Sequence, residues 1–332
     1  MAEINASGAA YETLPDPWER SGSILLDGVL ERNRFHPLLV VFFALLLALI
    51  GTAVIGLIAT IMLLVQSGVS PELVLQDSLG AMEGQIAAVL GGNAVGLFLG
   101  MGLLALVLAR FHSRRVWAFL RLRKPDLIAL VLALVGLVAL MPVVQWAGSL
   151  NEMVPLPEFL QHLEDMQMAL LNQVLMGELN VLLSLLLVAV TPALCEEVFF
   201  RGYLQRHLER SCGMIWGIFW AGFIFGLFHL RMTQLLPLSM LGIYLAYLTW
   251  RTGSLWIPIV IHFANNAFAV AIAEFAKNRP DLDITDIEQI GVPWYIGLIG
   301  LVCFSGIVYV LHERTKNQLT EQTAVSADIP VA

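Results

Sequence analysis

Glu196 and Glu197 are adjacent carboxylates inside a long, otherwise apolar helical stretch that runs from Thr191 to Arg206. An ionisable residue near the centre of a membrane helix costs about 2.5–3.5 kcal/mol on insertion scales, so such residues face a bundle interior or a wet cavity and mark function. Glu197 and Arg201 stand four apart and can pair on one helix face, while Glu196 points about 100° away from its neighbour. One carboxylate is then neutralised in place and the other is left for chemistry. The alternative is a helix end carrying solvated charges at the membrane surface. Arg201, His229, His262, Asn265 and Asn266 join the two glutamates as candidates. His262 and Asn266 share one helix face. A carboxylate hydrogen-bonded to an activated water, with histidine and amide donors aimed at a developing oxyanion, is equipment for hydrolysing an amide. The set Glu196, His229 and His262 could instead hold zinc, which also activates water. The His-Glu-x-x-His run of the commonest zinc peptidases is absent. Cys195 directly precedes the glutamates, but a thiol in an apolar helix is inert.

The elements that must position these groups are membrane helices. At 332 residues, 58% hydrophobic and 13% charged, with a mean hydropathy of +0.79, the chain is too apolar for a soluble domain of its size. A net charge of −8 argues against nucleic acid as a partner, and the three cysteines form no metal-type spacing. The fold class expected is an all-α polytopic bundle of about eight transmembrane helices. Spans are expected over about 38–65, 86–109, 127–146, 181–206, 214–229, 237–250, 255–275 and 294–311.

Residues 1–36 read as a cytoplasmic tail ending in an interfacial element around Ile24–Leu30. Residues 37–180 read as N-terminal membrane helices with a basic loop, Arg110 to Lys124, and an acidic external segment, 149–180. In the basic loop, Trp117, Phe119 and Leu120 suit a helix in the headgroup layer. In the acidic segment, Phe159, Leu163, Met166, Leu170 and Val174 recur at helical spacing and suit an amphipathic helix lying against the bundle. Residues 181–312 form the catalytic helical core and 313–332 a disordered tail. Arg32, Arg34, the Arg110–Lys124 cluster, Arg201, Arg206, Arg210, Arg251, Arg314 and Lys316 fall on one side of an eight-span arrangement, which makes both termini cytoplasmic. No internal repeat is visible, which disfavours a proton-coupled transporter built on the same Glu and His residues.

Glu196-Glu197-x-x-x-Arg201, Phe225-x-x-x-His229 and His262-x-x-x-Asn266 resemble the three motifs of the CAAX prenyl protease 2 family, also called CPBP or Abi. The surrounding residues match from about Ser184 to Phe275. The resemblance implies an eight-helix intramembrane endopeptidase that opens to the cytoplasm and acts on membrane-embedded or lipidated protein or peptide substrates. It implies Glu196 as general base on water assisted by His229, Glu197 and Arg201 as a supporting pair, and His262 with Asn266 on the oxyanion. The family has been described both as metal-dependent and as glutamic, so zinc stays open. A catalytically idle scaffold or bacteriocin-immunity protein of the same family is the alternative. The expected location is a bacterial inner membrane, with the lipid bilayer as the standing partner. Reaching His229, some 22 Å along its span from Met214 at about 1.5 Å per residue, calls for a deep, wet cavity.

Overall fold

A computed structural model describes residues 26–82, 84–177, 179–277, 279 and 292–327. Within them every regular element is helical. The expectations for residues 1–25, for the acidic loop 280–288 and for 328–332 lie outside the described residues. Among the described residues, seven helices are long and apolar enough to cross a membrane. We number the main elements α1 (Val29–Arg32), α2 (Pro37–Gln66), α3 (Ile86–His112), α4 (Leu127–Glu152), α5 (Glu158–Met176), α6 (Val181–Phe228), α7 (Met232–Thr252), α8 (Trp256–Lys277) and α9 (Trp294–Ala327).

The 48-residue α6 is broken at Gly213, whose φ of 78° and ψ of 169° are not helical. A left-handed φ suits glycine, which has no Cβ to clash. The break divides α6 into two limbs where the sequence suggested two spans, and both limbs feed the site. α9 continues as helix to Ala327, past the point where a disordered tail was expected. Lys316 and Glu313 pair three apart on it.

Without a hydrophobic drive between helices in lipid, close packing depends on small residues that let backbones approach. A Cβ on Gly96 of α3 would lie 2.6 Å from the Thr52 carbonyl oxygen of α2 and 3.0 Å from the Gly56 Cα. A Cβ on Gly242 of α7 would lie 2.6 Å from the Gly222 carbonyl oxygen of α6. The second contact matters for chemistry, because the Gly242 carbonyl also accepts a hydrogen bond from Arg201 at 3.1 Å. Gly242→Leu is therefore expected to separate α7 from α6, costing about 1–3 kcal/mol or more from overpacking. Thermal unfolding in detergent should show a lowered Tm, and an unchanged Tm would mean that this contact does not hold the pair together.

The basic end is built differently from the expected headgroup helix. Only one turn, Val116–Phe119, is helical there. Trp117 is exposed, but Phe119 and Leu120 are wholly buried in the core that α2, α3 and α6 share. Arg121 is buried too, bonded to Glu209 of α6, and its carbonyl accepts from the Leu255 amide at 2.8 Å. Arg201, Arg206 and Arg251 are likewise buried, so four charges expected to mark topology are structural instead. A buried guanidinium needs partners: Arg201 donates to the Gly242 carbonyl and Arg251 to the His312 carbonyl, and Arg206 lies over the Phe119 ring.

The N-terminal segment also docks instead of lying in the interface. The Gly28 amide donates to the His112 carbonyl at 2.9 Å. Glu31 of α1 accepts two bonds from Arg210, at 2.7 and 2.9 Å, and meets His112 Nδ1 at 2.8 Å. His112 Nε2 in turn meets the Tyr203 hydroxyl at 3.0 Å. Burial alone would raise the Glu31 carboxyl, but the hydrogen bonds from Arg210 and His112 outweigh it and hold the group down at about 2 from an ordinary 4.5. A group with a depressed folded pKa contributes stability above its unfolded pKa and loses it as pH falls through the folded one. The Tm difference between wild type and Glu31→Gln should be full at neutral pH and shrink as pH drops from about 4.5 to about 2. A difference that stayed constant over that window would show that Glu31 does not act through its charge.

The acidic segment forms α5, and part of its apolar stripe turns outward; the side chains of Leu170 and Val174 lie outside the described residues. Phe159, Leu163 and Met166 are exposed, whereas Glu164 is buried and accepts from the Thr233 amide at 3.0 Å. The outside of a membrane bundle is apolar and its inside can be polar, so an apolar stripe there turns outward.

Candidate active site

The first limb of α6 carries Glu196 and Glu197 between two π-helical segments, Leu185–Val190 and Val198–Leu204. π-Turns interrupt the backbone ladder and recur at functional sites. Pro192 explains part of the interruption. It has no N–H, so in an α-helix the carbonyl four residues earlier, that of Val188, loses its donor. Asn266 of α8 supplies a replacement, its Nδ2 donating to the Val188 oxygen at 3.2 Å.

Glu197 and Arg201 are both wholly buried and pair at 2.7 Å. The same Glu197 oxygen meets His262 Nδ1 at 2.8 Å. An oxygen already accepting from arginine belongs to a carboxylate, so Nδ1 of His262 is the donor and Nε2 is left on the side of Glu196. That nitrogen lies 4.0 Å from Glu196 Oε2. Glu196 Oε2 itself is buried and has no partner among the described residues. The adjacent carboxylates thus differ in kind. Glu197 has one oxygen clamped by two donors and orients a histidine, while its other oxygen is buried without a hydrogen bond; Glu196 accepts no hydrogen bond among the described residues.

Phe225 ties the second limb to this cluster. Its ring lies 4.2 Å from the Arg201 guanidinium carbon, 5.7 Å from the His262 ring and 4.7 Å from the His229 ring. His229 Nδ1 bonds the Phe225 carbonyl oxygen at 2.8 Å, which makes Nδ1–H the donor and Nε2 an acceptor in the neutral ring. Asn265 donates to the Asn266 side-chain oxygen at 3.2 Å. Asn266 has one N–H committed to Val188 and one remaining. Cys195 is buried, and a Cβ on Gly102 of α3 would lie 3.2 Å from its sulfur, so the thiol packs against a neighbouring helix.

The candidate zinc ligands Glu196, His229 and His262 do not form a metal set. Among the described residues no group of three or more His, Cys, Asp or Glu side chains stands close enough to hold an ion. The arrangement does not fit zinc, and no step below passes through a metal.

The sequence left several contributors unseen. Below Arg201 on the same face of α6, Gln205 donates to the Ala246 carbonyl at 2.9 Å and to Glu209 at 2.6 Å, and Glu209 ends at Arg121. Residues 197, 201, 205 and 209 recur every four positions, the one signal that could have revealed the seam. This packed seam lies toward the basic end. A cavity of about 370 Å³ lies toward the opposite end, bounded by α4, α7 and α8, and Asn265 is in its wall.

The architecture is that of a polytopic, all-α membrane protein whose polar groups converge in its second half. Residues 178–268, the part that holds them, match the family described as type II CAAX prenyl endopeptidase Rce1-like. The putative membrane peptidase YdiL of Bacillus subtilis (strain 168) is 28% identical over 109 residues, which are 32% of this chain and 45% of that protein. The chain thus spans about half the length of the curated relative it matches. No solved structure matches the chain. The two matches support the CPBP family and, at family level, a membrane protease.

Proposed function

We propose that the protein is an intramembrane endopeptidase that hydrolyses peptide bonds of membrane-associated or lipidated protein substrates with a water activated by Glu196. The observation that carries this reading is the contrast between the two carboxylates: one Glu197 oxygen is held by both Arg201 and His262, whereas Glu196 accepts no hydrogen bond among the described residues and has only His262 Nε2 at 4.0 Å. Glu196 takes a proton from water and the oxygen attacks the carbonyl carbon. His229 Nε2, an acceptor in the neutral ring, assists by sharing that proton. The oxyanion forms against the remaining Asn266 N–H and against His262 Nε2, which donates when the ring carries both protons. Collapse breaks the C–N bond, and the proton held on the Glu196 and His229 pair passes to the leaving amine. The proton removed from water is thereby returned to product. Glu197 acts through His262 by fixing its ring, as an orienting carboxylate does.

In this reading the basic end faces the cytoplasm, and α6 with its Gly213 break supplies two of eight crossings. The test is cleavage of a membrane-tethered reporter peptide library by the purified protein in detergent, with and without a strong chelator. Cleavage that a chelator leaves untouched supports the glutamate and water mechanism. Activity lost on chelation and restored by zinc would replace it with a metal mechanism, and no cleavage by folded protein would favour the idle scaffold.

A further inference from the structure

The cavity beside the site continues one face of α8. His262, Asn265, Asn266, Ala269, Ile272 and Ala273 recur at i, i+3, i+4, i+7, i+10 and i+11, and four of them, from Asn265 onward, are in its wall. It therefore begins one turn beyond the histidine that faces Glu196. Its volume of about 370 Å³ falls in the range of about 300–1,000 Å³ usual for ligand pockets. Its remaining walls are mixed: Met141, Val144 and Leu238 are apolar, while Gln145, Gln234 and Glu152 bring two amides and a carboxylate. No lysine or arginine lines it among the described residues. The nearby cations are held elsewhere, Arg231 against the Met168 sulfur and Lys277 on the Gly177 carbonyl and on Glu274. Other wall groups are also engaged. The Thr233 hydroxyl and amide both go to Glu164 of α5, and the Ser149 hydroxyl goes to the Gln145 carbonyl.

We propose that this cavity is the substrate subsite that takes a positively charged residue of the peptide, with the Glu152 carboxylate as its specificity-determining group. The proposal rests on the peptidase reading above. A peptide laid along the wall meets the primary amides of Gln145 and Gln234 besides that of Asn265, which are able to donate to a backbone carbonyl and accept from a backbone N–H, as an extended chain without a sheet partner requires. Its apolar side chains face Met141, Val144 and Leu238. The single formal charge of the lining is negative, so a lysine or arginine is stabilised there and an aspartate or glutamate is repelled. Position follows from length. The wall from Asn265 to Ala273 lies about 5–16 Å along α8 from His262 at 1.5 Å per residue. An extended peptide advances about 3.3 Å per residue, which puts the charged residue about two to five positions from the scissile bond.

The experiment uses the full chain in proteoliposomes and matched tethered peptides that carry Lys or Glu at each position within five residues of the cleaved bond. The quantity read is the ratio of kcat/KM for the Lys and Glu versions within each protein, so that any general loss of activity cancels. Wild type should prefer Lys by about tenfold at one or two positions. Glu152→Gln should bring the ratio close to one and Glu152→Lys should invert it. Gln234→Lys, which adds a cation to the same cavity, should lower the ratio by an independent route. A wild-type ratio near one at every position, or one that survives Glu152→Lys and Gln234→Lys unchanged, overturns the subsite while leaving the peptidase intact. Absence of any cleavage by wild type removes the peptidase reading and the subsite with it.

Discussion

Glu196→Gln is expected to lower cleavage of a tethered peptide by about 10²–10⁴-fold, the usual contribution of a positioned general base, while the protein still folds. Glutamine keeps the shape of glutamate and can still hydrogen-bond a water, but it cannot take the proton. The wild-type Glu196 Oε2 has no hydrogen-bond partner among the described residues, so the substitution breaks no hydrogen bond that holds the bundle together. The loss should fall mainly on kcat, because the group acts on the attacking water and not on bound peptide. Two controls separate chemistry from structure. The Tm in detergent should stay near that of wild type, and Glu196→Asp, which retracts the carboxylate by one methylene, should keep a small part of the activity. Full activity in Glu196→Gln would remove Glu196 from the chemistry.

Arg201→Met is expected to have the largest effect on stability. The arginine is wholly buried, bonded to Glu197 and to the Gly242 carbonyl, and stacked on Phe225. Removing one member of a buried ion pair leaves the other charged and without its partner, which costs about 3–5 kcal/mol. Met matches much of the lost volume, so most of the expected loss comes from Glu197 and little from a cavity. That assignment has a consequence of its own: the double variant Glu197→Gln with Arg201→Met should be less destabilised than Arg201→Met alone. Additive losses in such a cycle would mean that the two residues do not act as a pair. The double variant is not expected to retain cleavage, since the His262 ring then loses the carboxylate that orients it.

The Glu197–Arg201 pair was legible in the sequence because a helix fixes which residues meet four positions apart. The contact between His262 and Glu197 was not, since it joins residues 65 apart and depends on how two helices are rotated about their axes. The charges at the basic end were misread for a related reason. Arg121 has the composition of a loop residue, and only the fold brings Glu209, 88 residues away, to receive it. In α5 the apolar stripe was visible, but its direction was not. Periodicity shows that two faces differ without showing which faces protein when the surroundings are lipid. At the site, the missing N–H of Pro192 leaves the Val188 carbonyl in need of a donor, which Asn266 gives from another helix.

The central claim is that a water poised on Glu196 hydrolyses a peptide bond within the bundle. Its most direct test is mass spectrometry of products formed by wild-type protein from a tethered peptide in water enriched in the heavy oxygen isotope. One heavy oxygen in each newly formed carboxyl terminus, at a rate that collapses in Glu196→Gln, is the result expected. New termini formed at the same rate by both proteins, or none formed by well-folded wild type across the peptide library, would contradict it.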